Sequence, residues 1–435
     1  MAENSKKISK ELNISPEKSA VLKKEIKNIP DLKKRVGQSP KENISDIIQL
    51  LLGGSVYLGA SDLHIEPEEN QARVRSRIDG VLQDVTTTEK GLYEKLLSRT
   101  KLLSGIKLNV TDRPQDGRFS ILMKDVSVEI RTSTLPSEHG ESIVLRILNP
   151  KNLIDLEALG LRKDLLALFS KEIKKPNGMV IVTGPTGSGK TTTLYAFLKK
   201  IQKPEIKIIT IEDPIEYHLK GLSQTQVNPS KGYDFASGLQ AIVRQDPDVI
   251  LVGEIRDPKT CKIALQAALT GHLVLTTLHT NDAAGTVARL ISLEGDIKNI
   301  GPAINLAVAQ RLVRKICKKC VELKTVSPKD LTKIKKSLKT IPGNIKIPKL
   351  TKNLKVPKAK GCKACNFTGF RGRVGIFEAI LINSEMERFI LKNPSISAFR
   401  QEAIKKGMVT IHQDGLIKVL EKTTTIEEVE RVTGE

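Results

Sequence analysis

The chain has 435 residues, 39% hydrophobic and 28% charged, which exceeds one ordinary core and points to about two to four domains. No stretch approaches the roughly 18 apolar residues of a membrane span, and the Lys-rich start lacks a signal-peptide core, so insertion and secretion are not expected. The formal charge of +22 invites an acidic partner, but with no Trp and 3% aromatics a base-stacking platform is poorly supplied and nucleic acid is not the expected ligand.

The excess charge is concentrated. Residues 1–40 hold ten Lys/Arg against five acids, and residues 321–361 hold twelve Lys against two. Residues 1–40 are also broken by Pro16, Pro30 and Pro40, and read as a basic, disordered tail or an arm that folds on a partner. Residues 41–150 read as an α+β domain. Ile44, Ile47, Ile48, Leu51 and Leu52 share one helix face behind an Asn43 cap, with Gly53-Gly54 near the helix end. Two alternating strands, 73–78 and 81–85, flank an Asp79-Gly80 turn. A helix over 93–108 and strands over 118–123, 126–133 and 142–148 complete the domain.

From 151 to 310 the texture changes. Apolar strands at 179–183, 206–211, 249–252 and 273–277 alternate with helices, the mark of a parallel, helix-covered α/β sheet. Residues 311–375 carry the cysteines and the Lys-rich loop, and residues 376–435 read as a helical subdomain.

Gly184, Pro185, Thr186, Gly187, Ser188, Gly189, Lys190 and Thr191 fit GxxxxGK[ST] at every position, after a strand and before a helix; Thr192 follows. Such a loop turns backbone N–H groups onto an anion at a helix N-terminus. Lys190 is placed to reach the β/γ-phosphates and Thr191 to hold Mg²⁺, so a nucleoside triphosphate site is expected. Two carboxylates follow apolar strands: Glu212 and, in a Walker-B-like station, Glu254. Either can hold Mg²⁺ through water or orient the attacking water. His272 and His279 bracket one strand and lie about 20 Å apart, too far to share a metal. His279 stands at the acidic end as a candidate γ-phosphate sensor.

Cys317/Cys320 and Cys362/Cys365 are two CxxC pairs. They fit a closed Zn²⁺ site on an extruded, Lys-rich loop. Cys261 lies in a helical pattern and reads as a buried structural thiol.

The phosphate loop, ITIEDPIE, RQDPDVILVGEIRD and TGHLVLTTLHTNDA resemble the Walker A, Asp box, Walker B and His box of the secretion traffic ATPases, the GspE/PilB-like motors of type II secretion and type IV pilus assembly. The resemblance extends upstream to SDLHIEP, RSRIDGVL and RPQDGR, and downstream to the tetracysteine segment and FRGRVGIFE. It implies a P-loop RecA-like ATPase domain preceded by a PAS-like α+β domain, with a tetracysteine zinc element typical of assembly and export motors. It further implies ATP, Mg²⁺ and Zn²⁺ as cofactors. The implied assembly is a homohexamer at the cytoplasmic face of the inner membrane, working with a membrane platform protein and a cytoplasmic adaptor. A basic surface against acidic lipids is compatible with this. Arg118 and Arg131 match family positions expected to supply arginine fingers; Arg244 and Arg256, flanking the Walker-B strand, are candidates for the same site or for an interface, and Arg371 or Arg373 for an inter-subunit contact. A family arginine before RQDPD is Gln240 here. Type II secretion, type IV pili and DNA uptake use near-identical motors, so the resemblance names the motor and not the machine; a nucleic-acid-associated motor is the alternative.

Overall fold

In the computed structural model, which describes residues 10–40, 43–124, 126–294 and 296–434, the chain divides into two units. The first comprises Met1–Asn152, Cys317–Cys320 and Lys360–Arg371; the second comprises Leu153–Ile316, Val321–Ala359 and Gly372–Glu435.

The first unit opens with β1 (Glu11–Asn13), α1 (Pro16–Glu25) and α2 (Ile29–Gly37). Residues 10–40 are therefore not the disordered tail that their composition suggests; residues 1–9 lie outside the described residues. Pro16 and Pro30 start helices rather than break them. Each occupies the first turn behind a side-chain cap, Ser15 accepting from the Lys18 amide and Asn28 from the Asp31 amide, where a missing N–H costs nothing. Leu12, Ile14, Leu22, Ile26, Ile29 and Leu32 enter the unit's core. They pack on α3 (Ile44–Tyr57), whose cap is Asn43 as expected. Gly53 and Gly54 lie inside α3, not at its end. A Cβ on Gly53 would stand 2.8 Å from a Leu22 methyl, and one on Gly54 would stand 2.6 Å from a Leu32 methyl. The glycines make room for the arm.

The chain continues through β2 (Ala60–Pro67), β3 (Gln71–Ile78), β4 (Val81–Glu89), α4 (Lys90–Ser104), β5 (Gln115–Met123), β6 (Val126–Ser137) and β7 (Gly140–Leu148). The sheet order is β1-β5-β6-β7-β2-β3-β4, antiparallel except for the β1–β5 edge. The β3–β4 turn is made by Asp79 and Gly80, both at positive φ, the geometry that follows right-handed strand twist. Along β6, Val128, Ile130 and Thr132 are buried and Glu129 and Arg131 lie on the other face.

The second unit contains α5 (Lys163–Glu172), β8 (Gly178–Thr183), α6 (Lys190–Ile201), β9 (Ile208–Glu212), β10 (Ser223–Gln226), α7 (Phe235–Val243), β11 (Val249–Val252), α8 (Pro258–Leu269), β12 (Leu273–Leu278), α9 (Ala283–Glu294), α10 (Ile300–Ala303) and β13 (Ile304–Ile316). It continues with β14 (Val321–Thr325), α11 (Pro328–Ser337), β15 (Lys355–Ala359), β16 (Phe370–Leu381, entering from the first unit), α12 (Ser384–Ile390), α13 (Ile396–Lys405), α14 (Ile411–Leu420) and α15 (Ile426–Thr433). Its main sheet runs β10-β9-β11-β12-β8-β13-β16 and is parallel from β10 to β13. Apolar residues fill both of its faces, which explains strands that read as apolar runs.

The structure departs from the expected boundaries here. The ATPase sheet does not end at residue 310 but takes in β13 and β16, so the proposed 311–375 and 376–435 segments both contribute to it. The Lys-rich stretch also separates from the cysteines. It folds as the β14–β15 hairpin with α11, and Val326, Leu331, Ile334, Leu338 and Val356 pack on Leu416, Val419, Leu420, Ile426 and Val429. Its lysines coat the outside of a small core, so the stretch is not a bare extruded loop.

Glu428 ties α15 to β13. It accepts from the Arg314 amide at 3.0 Å, from the Arg314 guanidinium at 2.7 Å and from Arg431 at 2.7 and 2.8 Å. Burial opposes its charge, yet the Arg431 and Arg314 bonds hold its carboxyl down at about 2. A folded pKa below the unfolded one gives stability that is complete above about pH 4.5 and is lost as pH falls toward 2. The contribution is about 3 kcal/mol. Glu428→Gln should flatten that acid limb in pH-dependent thermal melts; an unchanged limb would show that the pair is not coupled to folding.

Candidate active site

The phosphate loop joins β8 to α6. Gly184, Gly187 and Gly189 have φ of 144°, 79° and 90°, values that side chains with a Cβ rarely adopt. Close approach adds a second constraint. A Cβ on Gly184 would stand 2.5 Å from the Gln310 carbonyl oxygen, and one on Gly189 would stand 2.8 Å from Gln310 Nε2. β13 therefore backs the loop directly. Lys190 Nζ donates to the Gly184 and Pro185 carbonyls at 2.8 and 3.3 Å. Ser188 Oγ is buried without a partner. An orphan hydroxyl, a lysine bonded to its own loop and the N-terminus of α6 suit a polyphosphate with its Mg²⁺. Thr191 and Thr192 occupy the first turn of α6.

Parallel pairing sets the acids at the same sheet edge as this loop, Glu254 two strands and Glu212 three strands from β8. Glu254, just past β11, accepts from Arg256 at 2.8 Å and meets His279 Nε2 at 3.1 Å. Burial lowers the Lys190 pKa and the Glu254 charge opposes that. Thr183 and Thr280, bonded at 2.7 Å, tie the segment after His279 to the end of β8. Glu212 ends β9 and is buried. It accepts from Tyr195, from Thr210 Oγ1 at 2.6 Å and from Gln224 Nε2 at 3.2 Å. Burial first, then the Glu212 charge, push the Tyr195 phenol far up, so Tyr195 remains the donor.

His272 lies at the opposite end of β12 from His279, against the Ala267 carbonyl. Arg244 caps α7. Arg118 and Arg131 are in the first unit, opposite each other on β5 and β6. The register continues the row to Arg146, Asp62 and Arg77, and Asp62 pairs with both flanking arginines. Arg146 escaped the motif reading because only cross-strand register aligns it with Arg131. Tyr195, Gln224, Gln310 and Arg311 were also missed. For Gln310-Arg311 the visible signal is a polar pair inside the apolar run of β13.

The four cysteines Cys317, Cys320, Cys362 and Cys365 come together in the first unit, with all four sulfurs within 4.8 Å of one another. Sγ–Sγ distances are 4.0 Å for Cys317–Cys362 and 3.8 Å for both Cys320–Cys365 and Cys362–Cys365. A tetrahedron of thiolates about 2.3 Å from Zn²⁺ has edges of about 3.8 Å, so the donor set fits. The Cys362 and Gly369 amides donate to Cys365 Sγ, as outer-shell partners of a metal thiolate do. Cys261 is buried in α8, as expected, and burial pushes its thiol up to about 12.

The parallel sheet, its phosphate loop and the acids at its strand ends define a P-loop ATPase. The chain matches the family described as Type II/IV secretion system protein over residues 38–431, and it belongs to that family. It is 43% identical over 396 residues to the Type II secretion system ATPase E of Vibrio cholerae, covering 90% of this chain and 76% of that one. It is 42% identical over 372 residues to the Type IV pilus assembly ATPase PilB of Thermus thermophilus, covering 85% of this chain but 41% of PilB. The crystal structure of the pilus retraction motor PilT with bound ADP superposes with a TM-score of 0.59 at 26% identity, covering 88% of this chain and 96% of that one. Among the described residues, no helix is long and apolar enough to cross a membrane.

Proposed function

We propose that this chain is the hexameric, Mg²⁺-dependent ATPase that powers type IV pilus assembly or type II secretion, acting on a platform protein at the cytoplasmic face of the inner membrane. The observation that carries the reading is an intact phosphate loop with the Glu254–His279 pair at the same end of its parallel sheet, in a chain whose family match runs from 38 to 431. Gly184–Thr192 bind the ATP phosphates and Thr191 holds Mg²⁺, which supplies charge neutralisation at the phosphates. Glu212 is buried and held by three donors, so it orients. Glu254, bonded among the described residues only to His279 and the exposed Arg256, has the freer carboxylate and is the water-activating group. Zn²⁺ on the four cysteines is structural. Arg118 and Arg131, with Arg146 in the same row, serve a neighbouring subunit's nucleotide. The basic surface meets acidic lipid, and residues 10–40 are an integral part of the first unit rather than an adaptor-binding tail.

Mg-ATP hydrolysis measured against protein concentration tests this. Specific activity should climb several-fold as subunits associate, and Arg131→Ala should remove the climb. Flat specific activity would mean self-sufficient sites and would sink the shared-site reading. Steeply salt-dependent DNA binding would instead favour a nucleic-acid motor.

A further inference from the structure

Arg311 has no place in the motif reading, yet it lies against the phosphate loop. β13 runs parallel to β8, with Val308 beside Val182 and Ala309 beside Thr183. Gln310 and Arg311 therefore reach the level where β8 turns into the loop. A Cβ on Gly184 would stand 3.1 Å from Arg311 Nη1. The guanidinium donates from Nη1 to the Gln310 carbonyl at 3.1 Å and from Nη2 to the Asn281 carbonyl at 2.7 Å. Both acceptors are backbone oxygens. The nearest acids are engaged elsewhere: Asp282 by Arg400 at 3.1 Å and by the Gly285 amide at 2.7 Å, Glu378 by the Ala283 and Ile411 amides at 2.9 and 3.1 Å. Arg311 is thus a half-buried cation without an ion-pair partner among the described residues. Burial lowers its pKa against the pull of Glu378 and Asp282, and its charge in turn depresses Lys190.

Desolvating a guanidinium without a counter-ion is unfavourable, and the loop beside it is built for an anion. Lys190 Nζ, the group placed for the β/γ-phosphates, bonds the same Gly184 whose α-carbon Arg311 approaches. The other arm of Arg311 holds Asn281, two residues after His279. We propose that Arg311 is a second cation of the phosphate site and a positioning residue. It answers the terminal phosphate at Gly184 and, through the Asn281 carbonyl, sets the segment that carries His279. This inference rests on the ATPase reading above.

The test is equilibrium binding of ATPγS and of ADP, each with Mg²⁺, to the full chain and to Arg311→Gln and Arg311→Lys. Gln retains a donor for the Asn281 carbonyl but no charge; Lys retains the charge without the fork. A charge-assisted bond to phosphate corresponds to about a tenfold or greater change in affinity. Arg311→Gln should lose that much for ATPγS and less than about threefold for ADP, and Arg311→Lys should recover part of the ATPγS loss. The kcat for Mg-ATP should fall further than KM changes. Equal losses for both nucleotides, or losses in both variants that follow a lowered melting temperature, would reduce Arg311 to a strut and overturn the proposal. Unchanged ATPγS affinity in Arg311→Gln would overturn it too. If the parent chain binds neither nucleotide, the ATPase reading falls with it; if the parent binds and the variants match it, only the Arg311 assignment falls.

Discussion

Lys190→Ala should lower Mg-ATP turnover by at least about 10²-fold and leave the thermal midpoint unchanged or slightly raised. The two halves of this result come from the same geometry. Lys190 Nζ is bonded to two carbonyls of its own loop, at Gly184 and Pro185, and to no core group. Burial disfavours its charge, the Glu254 carboxylate partly offsets that, and the Arg311 charge adds to the disfavour. Removing it therefore relieves a desolvation penalty and a like-charge repulsion, while deleting the attraction to Glu254 and two bonds to partly accessible acceptors. The loss falls on the reaction, where charge gathers on the transferring phosphoryl group and a pre-placed cation acts at no reorganisation cost. Such opposition between stability and activity is expected where a site keeps unpaired charge for its ligand. Turnover by initial-rate assay and melting by calorimetry check the two halves separately. A variant that turns over ATP like the parent would remove Lys190 from the site. One that is inactive because its midpoint has collapsed would show that the loop is a folding element instead.

What could be read in the sequence follows how locally each feature is specified. The phosphate loop needs consecutive residues in a fixed order, so Gly184–Thr192 stand out. Glu212 and Glu254 follow because each ends an apolar run, and the Asp79-Gly80 turn because its backbone demands it. The two CxxC pairs were legible as one cluster, although 41 residues separate them, because four thiols in that spacing are a distinctive donor set. Arg311 was not legible. Its meaning depends on β13 lying next to β8, and strand adjacency is not written in either strand. The arm over 10–40 was hidden for a different reason. Its apolar residues at 12, 14, 22, 26, 29 and 32 do not form one clean helical stripe, because they are shared among a strand, two helices and the turns between them. The residues that receive them, Gly53 and Gly54, looked like a helix end; inside α3 they are a groove. The Lys-rich stretch misled in the same way, since its few apolar residues suffice only with α14 and α15 supplying the rest of the core.

Loss of the proposed Zn²⁺ from the cysteine cluster should be the largest stability effect in the first unit, and the arm should report it. The four cysteines come from two segments far apart in sequence, 317–320 and 360–371, and both belong to the unit that holds residues 10–152. Beside the cluster, Asn366 and Phe367 adopt positive φ, and Asn366 Oδ1 accepts from the Ile29 amide at 2.7 Å. That amide is one of the orphan donors at the start of α2, so the knuckle supplies a cap that α2 cannot make for itself. Without a cation the four sulfurs crowd within 4.8 Å, and as thiolates they would repel. Cys362→Ser, or strong chelation, should therefore open the Cys362–Asn366 turn and free the start of α2. Loss of a structural metal belongs with effects above about 4 kcal/mol, which for a unit of this size is a midpoint shift on the order of 10 °C. Zinc content should fall from one per chain to nearly none, and new protease cleavage should appear around residues 24–29 and 360–367. Cys261→Ser is the control, since that thiol is buried in α8 away from the cluster. If zinc is lost and neither the midpoint nor the cleavage pattern changes, the knuckle holds itself together without metal, and its hold on the arm comes from the Asn366 turn alone.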